Sequence, residues 1–268
     1  MMGAVRPTPL PLRLYRTARV GVHLVEALVV SAVVFPFART ATREWLIRRW
    51  SERLLRMLAI DARAYGLQDS GPLGNVLIVA NHISWLDIFV LNTLQPARFI
   101  GKAELRRWPI VGRLIANVGT IFIERGRRRD THKINRHAAD ALTRGDVIAI
   151  FPEGTTTDGT GLLPFHTSLL QPIIDAEGHV QPIAIRYRTT TGEFNDAPAY
   201  VGDTSFLTSF WCVTGMRRQV VELHVTPPLA ARNRHRRELM RAAEGAIRTA
   251  LGLAAVGSAP DTRADRRA

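Results

Sequence analysis

Cysteine and lysine are scarce in this sequence. Cys212 is the single cysteine among 268 residues, which excludes an internal disulfide, and no cysteine–histidine cluster has the spacing of a structural zinc site. Only Lys102 and Lys133 are lysines among 36 basic residues, so the basic charge is almost entirely arginine. The low cysteine content fits a reducing compartment. No metal and no cofactor are expected.

The formal net charge of +13 favours anionic partners, because guanidinium groups grip phosphate and carboxylate with a planar fork. Anionic lipid and nucleic acid both fit this charge, although a GC-rich genome would also encode arginine without functional meaning. The sequence has neither the interleaved basic and aromatic residues of single-strand binders nor a recognisable DNA-reading motif. Nucleic acid is therefore not expected as a partner.

Two N-terminal segments point to a membrane. Residues 20–37 form an apolar run about as long as a minimal transmembrane helix, although His23, Glu26 and Pro36 interrupt it. Residues 42–58 have the pattern of a basic amphipathic helix with tryptophans, which is typical of a membrane interface and also of a helix packed on a core. Residues 1–59 are therefore predicted to associate with membrane. Whether residues 20–37 span the bilayer as a transmembrane helix or only enter it stays open.

From residue 60 onward, predicted strands alternate with predicted helices. This order predicts an α/β fold, a mostly parallel central sheet flanked by helices, with the N-terminal membrane-associating helices added to it. The predicted strands cover residues 75–80, 99–100, 120–123, 147–151, 180–187 and 220–225, and the helices cover 84–94, 106–118, 130–144 and 233–251. One domain is expected over residues 60–252, followed by a disordered tail over 253–268.

The stretch Asn-His-Ile-Ser-Trp-Leu-Asp joins a predicted buried strand to a predicted helix. His82 lies in this turn, at the rim of the sheet where substrates can reach it, and Asp87 follows one helical turn later. A neutral imidazole can take a proton from a hydroxyl, and a carboxylate on its other nitrogen fixes the tautomer. Ser84 and Asp87 also match a capping box. The stretch therefore predicts either a general base with its orienting partner or a capped helix start.

Two later strand ends carry further candidate residues. Arg125, in Gly-Thr-Ile-Phe-Ile-Glu-Arg-Gly, could bind phosphate or carboxylate, or could belong to a solvated strand end. Glu153 and Gly154, in Phe-Pro-Glu-Gly-Thr, could accept bonds from substrate hydroxyls and let backbone N–H groups approach an oxyanion. An ordinary surface turn would have the same sequence. If the strands are parallel, all these residues share one rim with His82.

Together with an apolar strand that has an early proline, Val-Gln-Pro-Ile-Ala-Ile at residues 180–185, these stretches resemble the glycerolipid acyltransferases. The likeness is to the bacterial 1-acylglycerol-3-phosphate acyltransferase type and covers roughly residues 60–251. It implies that His82 is the general base and Asp87 its orienting partner. It also implies substrate-binding roles for five residues: Lys102, Arg125, Glu153, Gly154 and Thr155. Lys102 and Arg125 would lie at the acceptor's phosphate.

The resemblance also implies the partners. The acceptor would be a lysophospholipid and the donor an acyl thioester on coenzyme A or acyl carrier protein, with membrane lipid around both. The acceptor hydroxyl would attack the thioester directly, which fits a chain whose Cys212 lies far from the motifs and which has no Gly-x-Ser-x-Gly elbow. The implied location is the inner (cytoplasmic) membrane, with the active site facing the cytoplasm.

One departure from the family pattern concerns the acceptor. Members that form phosphatidic acid usually carry Arg after Glu-Gly-Thr and later Phe-Lys-Lys-Gly, whereas this chain has Thr156 and Thr157 and then residues 164–170 without lysine. The threonine-rich form is similar to relatives that acylate lyso-ornithine lipid, whose head group is zwitterionic. We expect 1-acylglycerol-3-phosphate as acceptor, with lyso-ornithine lipid as the alternative. A thioesterase in which His82 activates water is a further alternative.

Overall fold

A computed structural model describes residues 8–67, 75–108, 111–123 and 128–254, with side chains for all of these except 128–134. The tail predicted over 253–268 lies outside the described residues from residue 255 onward. The division into residues 1–59, 60–252 and 253–268 stays a prediction.

Eight strands in the described part of the chain form the central sheet. They are β1 (Ile60–Tyr65), β2 (Val76–Ala80), β3 (Arg98–Lys102), β4 (Ile121–Ile123), β5 (Ile148–Ile150), β6 (His179–Arg188), β7 (Gln219–Val225) and β8 (Leu229–Ala230). Their order is β1-β7-β6-β2-β5-β3-β4, and β8 pairs with β6. β6 runs antiparallel to β7 and β8, and the other neighbouring pairs are parallel. The predicted mostly parallel sheet is confirmed.

Helices cover both faces of this sheet. They are α1 (Leu10–Val33), α2 (Thr40–Met57), α3 (Asp87–Leu94), α4 (Val111–Asn117), α5 (Arg128–Thr143), α6 (Gln171–Asp175), α7 (Phe206–Gly215) and α8 (Arg236–Ala250). In β2, Val76, Ile78 and Ala80 join one buried cluster, and Leu77 and Val79 join the other. This alternation is the reason that β2 is a continuous apolar run, as is usual for a strand covered on both faces.

One predicted helix differs from the structure, and several elements were not predicted. The helix predicted over residues 106–118 is divided into a 3₁₀ segment, Ala103–Arg107, and α4, which begins at Val111. Trp108 is extended, with φ −67° and ψ 128°, because the residue before a proline avoids the helical region. β1 was not predicted, because Asp61 and Arg63 interrupt its apolar pattern, and neither were α6, α7 and β8.

The two N-terminal helices pack against each other and against the sheet. α1 begins at Leu10, well before the apolar run, and Leu54 and Leu55 of α2 belong to the same buried cluster as Ile78 of β2. His23 stacks on Trp50 with ring centroids 4.6 Å apart, and each side chain makes a 3.0 Å hydrogen bond with the other residue's backbone carbonyl. The polar residue that interrupts the apolar run therefore fastens α1 to α2.

Membrane contact was the main expectation for this region. In the described part of the chain, no helix is both long enough and apolar enough to cross a bilayer, so the transmembrane helix considered for residues 20–37 is not found. α1 leaves Val22, Val25, Val29 and Val33 exposed, and Trp45 on α2 is 61% exposed.

Candidate active site

The turn between β2 and α3 lies in the middle of the sheet, at the carboxyl end of its parallel strands. Asn81 anchors this turn: its side-chain nitrogen donates to the Ile185 carbonyl at 3.0 Å, and the Ile185 N–H donates to its side-chain oxygen at 2.7 Å. The buried amide thus continues the pairing between β2 and β6 beyond the last residue of β2. His82, the next residue, starts from a fixed backbone position.

His82 and Asp87 lie in contact, as the sequence predicted. Nδ1 of His82 is 2.8 Å from Oδ2 of Asp87, whose side chain is fully buried, while the His82 side chain is 19% exposed. The imidazole also stacks on Phe151, with ring centroids 3.9 Å apart and planes 9° apart. Because Asp87 occupies Nδ1, Nε2 is the ring nitrogen that can take a proton from a substrate.

Asp87 also organises the turn, as the capping interpretation required in part. Oδ2 accepts hydrogen bonds from the backbone N–H groups of Ile83, at 2.7 Å, and Ser84, at 2.9 Å. The other half of a capping box is absent here, because the Asp87 N–H donates to the Ser84 backbone carbonyl and not to its hydroxyl. One carboxylate therefore shapes the start of α3 and holds the imidazole.

Tyr187 is a partner of Asp87 that the sequence analysis missed. Its hydroxyl donates to Oδ1 of Asp87 at 2.7 Å, and the tyrosine is fully buried on β6. Burial, followed by the nearby Asp87 charge, raises the pKa of Tyr187 well above its ordinary value, so the hydroxyl is a neutral donor. The available signal was a tyrosine near the end of the predicted strand, two residues after Ile185.

Glu153 contacts the His82 turn directly. Oε1 accepts from the His82 backbone N–H at 2.8 Å, and Oε2 accepts from the Leu163 N–H at 2.9 Å. The side chain is buried, and burial raises the pKa of Glu153 above its ordinary value against the lowering effect of these two bonds. The resemblance assigned Glu153 to the acceptor, whereas in this structure each carboxylate oxygen binds the protein's own backbone.

The residues after Glu153 close the turn from the other side. Gly154 has a φ of +70°, which favours glycine, and its N–H donates to the Phe151 carbonyl at 3.1 Å. Thr155 is exposed at the rim. The Thr157 N–H donates to the His82 carbonyl at 2.8 Å, and the Thr156 hydroxyl donates to the Tyr200 carbonyl.

Of the two predicted cations, the structure describes Lys102 but not Arg125. Lys102 is exposed and ends β3, which runs parallel to β5 and therefore points to the rim that carries His82. Arg125 lies outside the described residues, so its role in binding an anion stays a prediction. Cys212 is exposed on α7.

Comparisons with known proteins agree on one family. Residues 61–186 match the Acyltransferase family. A 1-acyl-sn-glycerol-3-phosphate acyltransferase of Neisseria gonorrhoeae is 39% identical over 169 residues, which are 62% of this chain and 66% of that protein. A lyso-ornithine lipid O-acyltransferase of Pseudomonas aeruginosa is 38% identical over 229 residues, which are 85% of each chain.

A further relative and one crystal structure extend over nearly the whole chain. A lyso-ornithine lipid O-acyltransferase of Brucella abortus is 30% identical over 90% of this chain and 97% of that protein. The crystal structure of the 1-acyl-sn-glycerophosphate acyltransferase of Thermotoga maritima matches with a TM-score of 0.66 at 21% identity, covering 92% of this chain and 98% of that one. At this identity the crystal structure supports the fold alone.

Proposed function

Since this chain belongs to the bacterial glycerolipid acyltransferase family and is an O-acyltransferase, we propose that it moves a fatty acyl group from a thioester donor to the free hydroxyl of a lysolipid. The observation that carries the proposal is the buried Asp87 carboxylate on Nδ1 of His82, at 2.8 Å, which leaves Nε2 for the acceptor. The donor is an acyl thioester of coenzyme A or acyl carrier protein.

The reaction follows from that geometry. As the acceptor oxygen attacks the thioester carbonyl carbon, Nε2 of His82 takes the hydroxyl proton, and the Asp87 carboxylate stabilises the imidazolium that forms. The tetrahedral intermediate then collapses, the carbon–sulfur bond breaks, and the proton passes from the imidazolium to the leaving thiolate. No protein nucleophile is needed, and the products are the acylated lipid and a free thiol.

For the acceptor, the first candidate is 1-acylglycerol-3-phosphate, which would give phosphatidic acid. Exposed Lys102 at the end of β3 supports it, since a cation near the His82 rim can bind a phosphate. The activity named for the Neisseria relatives supports it as well. In this arrangement Arg125 would be the second phosphate ligand, and Thr155 would lie beside the acceptor.

Lyso-ornithine lipid is the second candidate, and a specific observation favours it. Thr156 stands where phosphatidic-acid-forming members usually carry Arg, and its hydroxyl donates to the Tyr200 carbonyl, so it adds no charge and faces the protein's own backbone. The relatives from Pseudomonas and Brucella, which are named for this activity, match over most of their length.

Membrane association is part of the proposal. The exposed apolar side chains of α1 and exposed Trp45 on α2 would enter one side of the bilayer. Arg19, Arg49, Arg53 and Arg56 line a groove beside them, where they can reach lipid phosphates. We propose that the N-terminal hairpin formed by α1 and α2 lies on the cytoplasmic face of the inner membrane, with the active site toward the cytoplasm.

The test offers equal amounts of lysophosphatidate and lyso-ornithine lipid to purified protein with acyl-coenzyme A or acyl carrier protein, and identifies products by mass spectrometry. Acylation of lysophosphatidate is expected, and acylation of lyso-ornithine lipid alone would refute the first candidate. His82→Ala should lower transfer by about 10² to 10⁴-fold, the usual contribution of a general base. His137→Ala, an exposed histidine on α5, is the matched control. Undiminished transfer by His82→Ala, or thioester hydrolysis without a lipid product, would refute the mechanism.

A further inference from the structure

We propose that Tyr187 is a positioning residue for the catalytic base, because its hydroxyl holds the second oxygen of Asp87 and so fixes the carboxylate that orients His82. The inference rests on the proposed function. It assigns a role to a residue on β6, a strand whose other buried side chains are mostly apolar.

The two carboxylate oxygens of Asp87 accept different numbers of hydrogen bonds. Oδ2 accepts from Nδ1 of His82 and from the N–H groups of Ile83 and Ser84 at 2.7 to 2.9 Å. Oδ1 accepts from the Tyr187 hydroxyl at 2.7 Å, the one hydrogen bond to that oxygen among the described side chains. A buried carboxylate oxygen without a partner is costly. Tyr187 therefore satisfies Oδ1 and prevents the carboxylate plane from turning away from the imidazole.

The strand pairing explains why Tyr187 reaches this position. The Asn81 amide makes two hydrogen bonds with the backbone of Ile185 and so fixes β6 against the His82 turn. Side chains two residues apart on a strand lie on the same face, so Tyr187 follows Ile185 on the face that is turned toward Asp87. Asn81 thus fixes the register of β6, and this register places the Tyr187 hydroxyl within hydrogen-bonding distance of the Asp87 carboxylate.

The hydrogen bond also has an electrostatic consequence. The titratable groups that face Asp87 are His82 from its own turn, Tyr187 from β6 and Glu153 from the turn after β5. His82 donates to Oδ2 and takes part in the proton transfer, whereas Tyr187 donates to Oδ1 and does not. Removing the donor leaves the anion less well stabilised, and a less stabilised anion binds a proton more readily and attracts one to the imidazole more strongly. With either change, the inactive forms, in which Asp87 or the imidazole carries the extra proton, persist to higher pH.

Tyr187→Phe is the first test, with Tyr65→Phe as the matched control, because Tyr65 is 44% exposed on β1. We expect Tyr187→Phe to lower kcat/KM by about ten- to a hundredfold, the size of a lost hydrogen bond to a charged group. The loss should fall on kcat and leave KM nearly unchanged, since Tyr187 does not touch the acceptor. The acidic limb of the kcat/KM profile should move to higher pH, a readout that a purely structural role would not change.

A second variant covers the case in which Tyr187→Phe does not fold. Fluorotyrosine at position 187 keeps the hydroxyl in place and makes it a stronger donor, so the acidic limb should move to lower pH. Profiles of a folded variant that superimpose on wild type would overturn the inference. If wild type and Tyr65→Phe transfer no acyl group at all, the proposed function fails instead.

Discussion

Asp87→Asn tests how the carboxylate acts on His82. Oδ2 of Asp87 accepts three N–H donors at 2.7 to 2.9 Å, so an asparagine would keep its carbonyl oxygen at that position and turn its amide group toward Tyr187. The Tyr187 hydroxyl can rotate to accept from that amide. The imidazole should therefore keep its tautomer, and the variant should lose only the negative charge that stabilises the imidazolium.

The size of the loss follows from that charge. Two unit charges about 4 Å apart interact by about 4 kcal/mol at an effective dielectric constant of about 20, and solvent near the partly exposed ring reduces this value. We expect kcat to fall by about 10² to 10³-fold, which is less than the roughly 10⁴-fold loss seen when an amide imposes the wrong tautomer. Steady-state kinetics on micellar acceptor would measure it.

Stability separates this role from helix capping. Asparagine and aspartate serve similarly at helix starts, so urea denaturation of Asp87→Asn should show a loss of no more than about 1 kcal/mol. Asp61→Asn, which removes an acidic group from a surface pair with Arg63, is the matched control. Wild-type activity in Asp87→Asn, or a rate loss fully explained by unfolded protein, would refute the proposal that the Asp87 charge stabilises the imidazolium.

Three further predictions concern groups around the site and the N-terminal hairpin. Burial raises the pKa of Glu153, so the stability that its proton contributes is present below the ordinary glutamate pKa and is lost as pH rises through the raised value. In urea denaturation from about pH 4 to about pH 8, the free energy of unfolding of wild type should therefore fall relative to Glu153→Gln, and parallel curves would contradict this. Val25→Asp places a charge on the exposed face of α1 and should reduce binding to phosphatidylglycerol vesicles by about tenfold or more with the fold unchanged. If the variant sediments with vesicles as wild type does, the lipid contact lies elsewhere. Thr156→Arg introduces the cation that is usual in phosphatidic-acid-forming relatives. It should raise kcat/KM for lysophosphatidate relative to kcat/KM for lyso-ornithine lipid by about tenfold. An unchanged ratio would show that position 156 does not determine the acceptor.

Local patterns in the sequence were enough to predict most strands of the sheet. The predicted strands correspond to β2 through β7, because uninterrupted apolar runs such as Val76–Ala80 bury both of their faces. The contact of His82 with Asp87 was also accessible, since five residues across a strand-to-helix turn leave few other arrangements. In both cases the decisive interactions lie within one element or one turn.

Interactions across long stretches of chain were not accessible in the same way. Tyr187 lies 100 residues from Asp87, and its contact depends on the pairing of β6 with β2. Glu153 was placed against the acceptor because its motif follows a strand end, but the direction of its carboxylate depends on how the 81–87 turn and the 156–163 loop close around it. Backbone N–H groups of distant segments leave no signature in the sequence.

The contacts of His82 divide the site into two parts. Its N–H donates to Glu153, its carbonyl accepts from Thr157, its Nδ1 binds Asp87, and its ring lies against Phe151. A histidine fixed by two hydrogen bonds of its backbone and two contacts of its ring is oriented before the substrates bind, so little ordering remains for the reaction step. Head-group choice must then come from side chains at the rim that do not hold the imidazole, such as Lys102 and Thr156. Substitutions there should change the acceptor with the acyl-transfer step preserved. Substitutions at Thr157 should affect the acyl-transfer step as well, because its hydroxyl also donates to the His82 carbonyl, at 3.3 Å.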